Sequence, residues 1–172
     1  MLKFFLSSFL TLIFTACTTT STIIISNLPS QESIKSSTIL KITIPVREHG
    51  YSTFKTKVFT TQQELNRFII KINEAKSWNQ KKNFLNSLTL NPIDFKNYNL
   101  LLYRITESSG STVLAVEAPS GTNEYIIINI GRDKPEVSTD NMAYYALAYK
   151  VAKSVKEITF DNGIKKDVIL NK

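Results

Sequence analysis

From position 39 onward the chain alternates between two hydrophobic rhythms, a period of two and a period of three to four, which predicts strands interleaved with a few helices. Residues 39–46 set Ile39, Lys41, Thr43 and Pro45 against Leu40, Ile42, Ile44 and Val46, the pattern of a half-buried strand. Arg47, Glu48, His49 and Gly50 follow as a turn. Residues 51–59 alternate again, which predicts a hairpin partner for the first strand. Thr61 and Glu64 have the spacing of a capping box, and Leu65, Phe68, Ile69 and Ile72 then recur on one helical face. A helix is therefore expected to run to about residue 76. Phe84, Leu85 and Leu88 predict a second, shorter helix over 79–88, ended by Asn91 and Pro92.

The second half reads mostly as strand. Leu100, Leu101, Leu102 and Tyr103 are nearly continuous, as in a central strand covered on both faces. After the turn residues 107–111, stretches 112–118 and 124–130 form an antiparallel meander around Pro119 and Gly121. Ile126, Ile128 and Ile130 make one aliphatic face, expected to pack on the Leu65, Phe68 and Ile72 stripe. Residues 131–139 read as an exposed loop. In 142–153, four alanines favour helix, while Tyr145, Leu147, Tyr149 and Val151 at period two favour strand, and strand is adopted. Asn162 and Gly163 between 156–160 and 164–170 predict a closing hairpin. The sum is an α+β domain over 39–172: an antiparallel sheet of five to seven strands with one or two helices packed on one face.

The stretch ahead of this domain changes where the domain is expected to sit. Lys3 precedes an apolar run over 4–14, interrupted by Ser7, Ser8 and Thr11, and small residues Thr15 and Ala16 stand before Cys17. Such a run is short of the roughly 20 apolar residues that span a bilayer. Residues 1–16 are therefore expected to be a cleavable export signal. The residues Phe14, Thr15, Ala16 and Cys17 resemble the lipobox of bacterial lipoproteins, with Phe14 where leucine is usual. That resemblance implies a diacylglycerol on the Cys17 thiol, and two acyl chains suffice for stable anchoring. The competing reading is an ordinary secretory signal. Cys17 is the only cysteine. Once it is acylated, disulfides, thiol catalysis and cysteine-ligated metals are excluded within the chain. Residues 17–38, rich in Ser and Thr, then form a tether. Its exception is Ile23, Ile24 and Ile25, a run that could dock on the domain as a short strand.

Charge adds little to this picture. The 21 basic side chains outnumber the 14 acidic ones, for a net charge of +7, but they are scattered and only four are arginine. Nucleic-acid binders concentrate such charge, so no nucleic acid is expected as a partner. A solvated surface accounts for most of these lysines. Anionic envelope polymer is the alternative partner.

Candidate chemistry is sparse. His49 is the only histidine, so a catalytic triad would run through it, with Ser52 or another serine as nucleophile and Glu48 or a distant aspartate as orienting acid. No nucleophile-elbow motif accompanies them, and a turn histidine is the simpler reading. Asp133, Glu136 and Asp140 are interleaved with Arg132 and Lys134 and lack calcium-loop spacing. No metal and no cofactor are expected. Asp94 is read as a turn residue holding backbone amides ahead of the central strand. Tyr144, Tyr145 and Tyr149 either fill the core or form a partner-binding surface.

From Phe59 to about Phe160 the element order resembles the C-terminal domain of PrcB-type lipoproteins, accessory subunits of secreted protease complexes. The resemblance rests on residues 61–64, on Ile93, Asp94 and Phe95, on 99–105 with Gly110, and on Tyr144 and Tyr145 leading into 147–153. Ala143 stands where that family usually carries a proline. The resemblance implies a non-enzymatic domain that binds or stabilises another protein of the cell envelope. Thr18, rather than aspartate, after the cysteine is similar to lipoproteins of the outer membrane.

Overall fold

The computed structural model describes residues 34, 37–76, 78–109, 112–133, 136 and 139–171. The chain divides into two units, Met1–Ser30 and Gln31–Lys172. The first unit, with the signal, Cys17 and the Ile23 to Ile25 run, lies outside the described residues, as do Gly110 and Lys134.

The second unit is an α+β fold with two helices and nine strands among the described residues. Strand β1 (Ile39–Ile42) leads through a short 3-10 helix, His49–Thr53, to β2 (Lys57–Phe59). Helices α1 (Gln62–Glu74) and α2 (Lys81–Leu90) follow. The rest is strand: β3 (Tyr98–Glu107), β4 (Val113–Val116), β5 (Ser120–Gly121), β6 (Tyr125–Asp133), β7 (Ala143–Ala152), β8 (Glu157–Asp161) and β9 (Lys166–Leu170). The strands divide between a four-stranded sheet ordered β1-β7-β3-β2 and a five-stranded sheet ordered β4-β6-β8-β9, with β5 on β6. All pairings are antiparallel except β6 with β8.

The core strands β3 and β7 explain the layering. They pair over ten residues, from Tyr98↔Ala152 to Glu107↔Ala143, and are apolar on both faces. Two sides therefore need covering. On one, Leu100, Leu102, Ala146 and Ala148 meet Leu65, Phe68 and Ile72 of α1 and Phe84 and Leu88 of α2. The small alanines leave room for an aromatic cluster of Tyr51, Phe54, Phe59, Phe68, Trp78 and Phe84. On the other, Leu101, Tyr103, Ile105, Tyr145, Leu147, Tyr149 and Val151 meet Ile126, Ile128, Ile130, Ile158 and Phe160 of the second sheet. Burying each such large side chain contributes roughly 1.5–3 kcal/mol. Tyr103 spans the sheet-to-sheet interface, stacked on Phe160 at 3.7 Å between ring centroids, with its hydroxyl donating to Asp167 Oδ2 at 2.7 Å.

Several expectations from the sequence hold: α1 with its Thr61 cap, α2, the β3 strand, strand rather than helix for β7, and the β8–β9 turn, where Gly163 has φ +76°. Three are corrected. Residues 51–59 are not a hairpin partner of β1: β1 pairs with β7 and β2 pairs with β3, at opposite edges of the sheet. The reason lies in Tyr51 and Phe54, both buried in the helix-side core. A spacing of three brings two side chains to one side of a 3-10 turn, whereas strand alternation would have separated them. The Ile126, Ile128 and Ile130 face packs on the sheet face opposite the helices, not on the α1 stripe. Finally, β6 runs on to Asp133, so Arg132 and Asp133 belong to a strand and not to a loop.

Candidate functional site

A concavity at one end of the four-stranded sheet gathers residues from three segments. Arg47, Glu48 and His49 come from the turn after β1, Asn79 and Gln80 from the residues just ahead of α2, and Asn141 to Tyr144 from the entry to β7. Together they line a cleft of about 310 Å3. The turn is held against β7 by the Arg47↔Tyr145 bridge and by the Glu48 N–H donating to the Tyr144 carbonyl at 3.1 Å.

Glu48 builds the floor of the cleft. The residue is only 3% exposed, a costly place for a charge unless it is fully hydrogen-bonded. Its Oε1 accepts from the N–H of Gly50 at 3.4 Å and of Asn79 at 3.0 Å, and Oε2 accepts from Gln80 N–H at 2.7 Å. Burial alone would raise its pKa, but these backbone N–H groups, with that of His49, outweigh burial and hold the carboxyl below its usual range. The α2 N-cap residue, Gln80, makes no side-chain cap of its own. Glu48 supplies the missing acceptors and places a negative charge at the positive end of the helix. Among the described residues no hydrogen bond joins Glu48 to the His49 ring. The carboxylate is a structural staple, held by backbone N–H groups of the turn and of the approach to α2.

His49 is exposed and meets Tyr144 edge-on, with ring centroids 5.9 Å apart and planes at 79°. Tyr144 is half-buried, and its hydroxyl lies 3.7 Å from the Met142 sulfur. Met142 itself is 53% exposed. The rim is thus an imidazole, a phenol, a thioether and the Arg47 guanidinium around a rigid floor.

Of the three tyrosines considered as a partner surface, Tyr144 alone lines this cleft. Tyr145 and Tyr149 are corrected to core residues, 3% and 1% exposed, because the odd-numbered side of β7 faces the second sheet. The Tyr145 hydroxyl donates to the Thr112 carbonyl. The Tyr149 hydroxyl is buried without a hydrogen-bond partner among the described residues, and burial pushes its pKa up to about 12. Asp94 is a turn residue as expected: it accepts from Asn97 Nδ2 at 2.7 Å and Lys96 N–H at 3.0 Å. Those two bonds hold its carboxyl below the usual range. Asp133, Glu136 and Asp140 are exposed. Among the described residues no group of three or more His, Cys, Asp or Glu side chains is placed to hold a metal ion.

Sequence reasoning missed Glu48 as a helix staple and missed the buried Glu107–Arg132 ion pair, which joins β3 to β6. Neither has a local signature, because both partners are distant in the chain. A signal for the first existed in the bare N-terminus of α2, which opens on lysines without a capping Ser, Thr, Asp or Asn. Against known proteins, no family model, no curated protein and no solved structure matches the chain.

Proposed function

We propose that this chain is a lipid-anchored lipoprotein of the bacterial cell envelope whose domain is not an enzyme but binds and stabilises another envelope protein. The observation that carries the reading is the position of the His49, Met142 and Tyr144 cleft. The residues that precede the domain join it at β1, beside Val151 on β7, whereas the cleft lies at Tyr144 on the same strand. The separation is roughly 24 Å at about 3.4 Å per residue. A domain hung from an acylated Cys17 would present that cleft away from its point of attachment. Aromatic, Met and Arg side chains on a rigid support are the composition favoured at protein interfaces. The resemblance to PrcB-type accessory domains supports the same direction.

The test is purification of the tagged full-length protein from gently solubilised membranes, with a photo-crosslinking residue in place of Met142. One stoichiometric protein crosslinked at that position and lost with Tyr144→Ala and with Cys17→Ala supports the reading. A chain recovered alone, or crosslinks indifferent to Tyr144→Ala, overturns it.

A further inference from the structure

Strand β1 ends one sheet and β4 ends the other, and an apolar slot of about 280 Å3 lies between them. Its walls are Ile44 and Val46 beyond β1, Ala146 and Leu147 of β7, and Leu114 and Val116 of β4. The slot is there because the β1 segment bulges away from its neighbour. Between the Ile42↔Ala148 pair and the Arg47↔Tyr145 bridge, four residues face two of β7, and Pro45 is among the four.

Open sheet edges are ordinarily guarded by charge, proline or a bulge. The β1 segment has Lys41, the bulge and the proline, while β2 opens on Lys57 and β9 on Lys166. Strand β4 has no such guard. Its four residues, Val113 to Val116, are uncharged, keep unbroken register with β6, and leave Val113 62% exposed. The Glu117 N–H donates to the Asn129 carbonyl at 3.0 Å. Alternation then turns the backbone groups of Ala115 toward β6 and those of Leu114 and Val116 away from it. Among the described residues no strand lies along that outward row. The side chains of the same two residues point the other way, onto the core between the sheets.

We infer that β4 receives an extended segment of a partner protein as an added strand, with two aliphatic side chains at alternate positions filling the slot and a carboxylate on the same face opposite Lys41. Only a strand answers a row of outward N–H and C=O groups with its own backbone. Its period of two brings the residues opposite Leu114 and Val116 to the inner face, where the slot is apolar. Lys41 sets the charge of the occupant: it stands on the slot wall, no carboxylate shares that wall, and among the described residues Lys41 takes part in no ion pair. The inference is independent of the His49 cleft and of a lipid on Cys17.

The test titrates residues 18–172, which retain the whole compact unit Gln31–Lys172, with the synthetic peptide Glu-Thr-Val-Thr-Val-Thr-Glu, followed by amide NMR. The Leu114 and Val116 amides are expected to shift. Affinity should fall by about tenfold when the central amides of the peptide are N-methylated, a change that leaves the protein untouched. It should fall as far in Val116→Pro, which removes an outward N–H and leaves the ladder to β6 in place. Lys41→Gln should weaken binding by about threefold, and that loss should vanish when both glutamates of the peptide are glutamines. Lys82→Gln, exposed on α2, should bind as the parent does. Absence of shifts at β4, equal binding of the N-methylated peptide, or indifference to Val116→Pro overturns the inference. So does a parent that sediments as a dimer dissociated by Val116→Pro, which would assign the edge to a second copy. Binding by residues 31–172 but not by 18–172 would assign it to the chain's own leading stretch and overturn the inference as well.

Discussion

The Glu48 carboxylate accepts the backbone N–H of Gln80 at 2.7 Å across 32 residues of chain, so an acid from the turn after β1 caps a helix that has no cap of its own. Glu48→Ala should destabilise the domain by about 3 kcal/mol, because three buried N–H groups lose a charged acceptor. Glu48→Gln, which keeps one carbonyl oxygen, should cost about 2 kcal/mol. Urea unfolding measures both.

The same carboxylate sets an acid limb of stability. Burial raises its pKa and the surrounding N–H groups lower it further than that, so the folded value lies below the 4.5 of a free carboxyl. Stability from Glu48 is complete above about pH 4.5 and is lost as pH falls through the lower folded value. Urea midpoints of the parent and Glu48→Gln should therefore converge as pH falls, and a gap that persists undiminished at low pH would rule out this linkage.

Alkaline pH acts through three buried phenols. Burial raises the pKa of Tyr51, Tyr103 and Tyr149, with the Glu48 charge adding at Tyr51 and Asp167 adding at Tyr103. Each is neutral when folded and ionises from 10 when unfolded, so stability is full below about pH 10 and declines as pH rises through the folded values. Tyr149→Phe removes a hydroxyl without a partner and should be neutral or stabilising by up to about 1 kcal/mol at pH 7. It should also reduce the steepness of the loss between pH 10 and about 12. Phenolate absorbance and unfolding, followed together, check both.

A methyl group at Gly50 would run into the Trp78 indole ring, which lies against that Cα. Gly50→Ala should cost about 2–3 kcal/mol through overpacking and shift the emission of the only tryptophan to the red. Unchanged emission would mean that the ring does not rest there.

Glu107 is almost fully buried and pairs with Arg132. Arg132→Met should destabilise by about 3–5 kcal/mol, since it strands a buried carboxylate. Glu107→Leu combined with Arg132→Met should recover much of that loss. A double variant as unstable as Arg132→Met alone would refute the pairing.

Legibility in the sequence followed locality. The Thr61 cap, the α1 stripe, the β7 alternation and the Asn162–Gly163 turn are written within a few residues of one another, and each appears where the pattern puts it. The 3-10 turn was concealed because Phe54, Thr56 and Val58 alternate with Lys55, Lys57 and Phe59 as in a strand, while Tyr51 and Phe54, three apart, share the helix-side core. The division into two sheets was concealed for another reason: an aliphatic stripe such as Ile126, Ile128 and Ile130 demands burial but does not name the surface that buries it. At the cleft, His49 was conspicuous as the only histidine and Tyr144 as one of a tyrosine group. The staple beneath them was not, since Glu48 owes its role to amides 31 and 32 residues away.

The parallel pairing of β6 with β8 has a kinetic meaning. The segment between these neighbours passes through β7, in the middle of the other sheet, so the pairing of Tyr125 with Glu157 closes a loop that contains all of β7. Contacts of such separation slow the search for the native state. They also bind the two sheets into one cooperative unit, in which neither is expected to melt first. Because Glu157–Asp161 follows β1 to β7 in the chain, an emerging polypeptide has to deliver all of those elements before the second core can close. Folding of this domain thus waits on the delivery of β8, and the chain stays extensible until then.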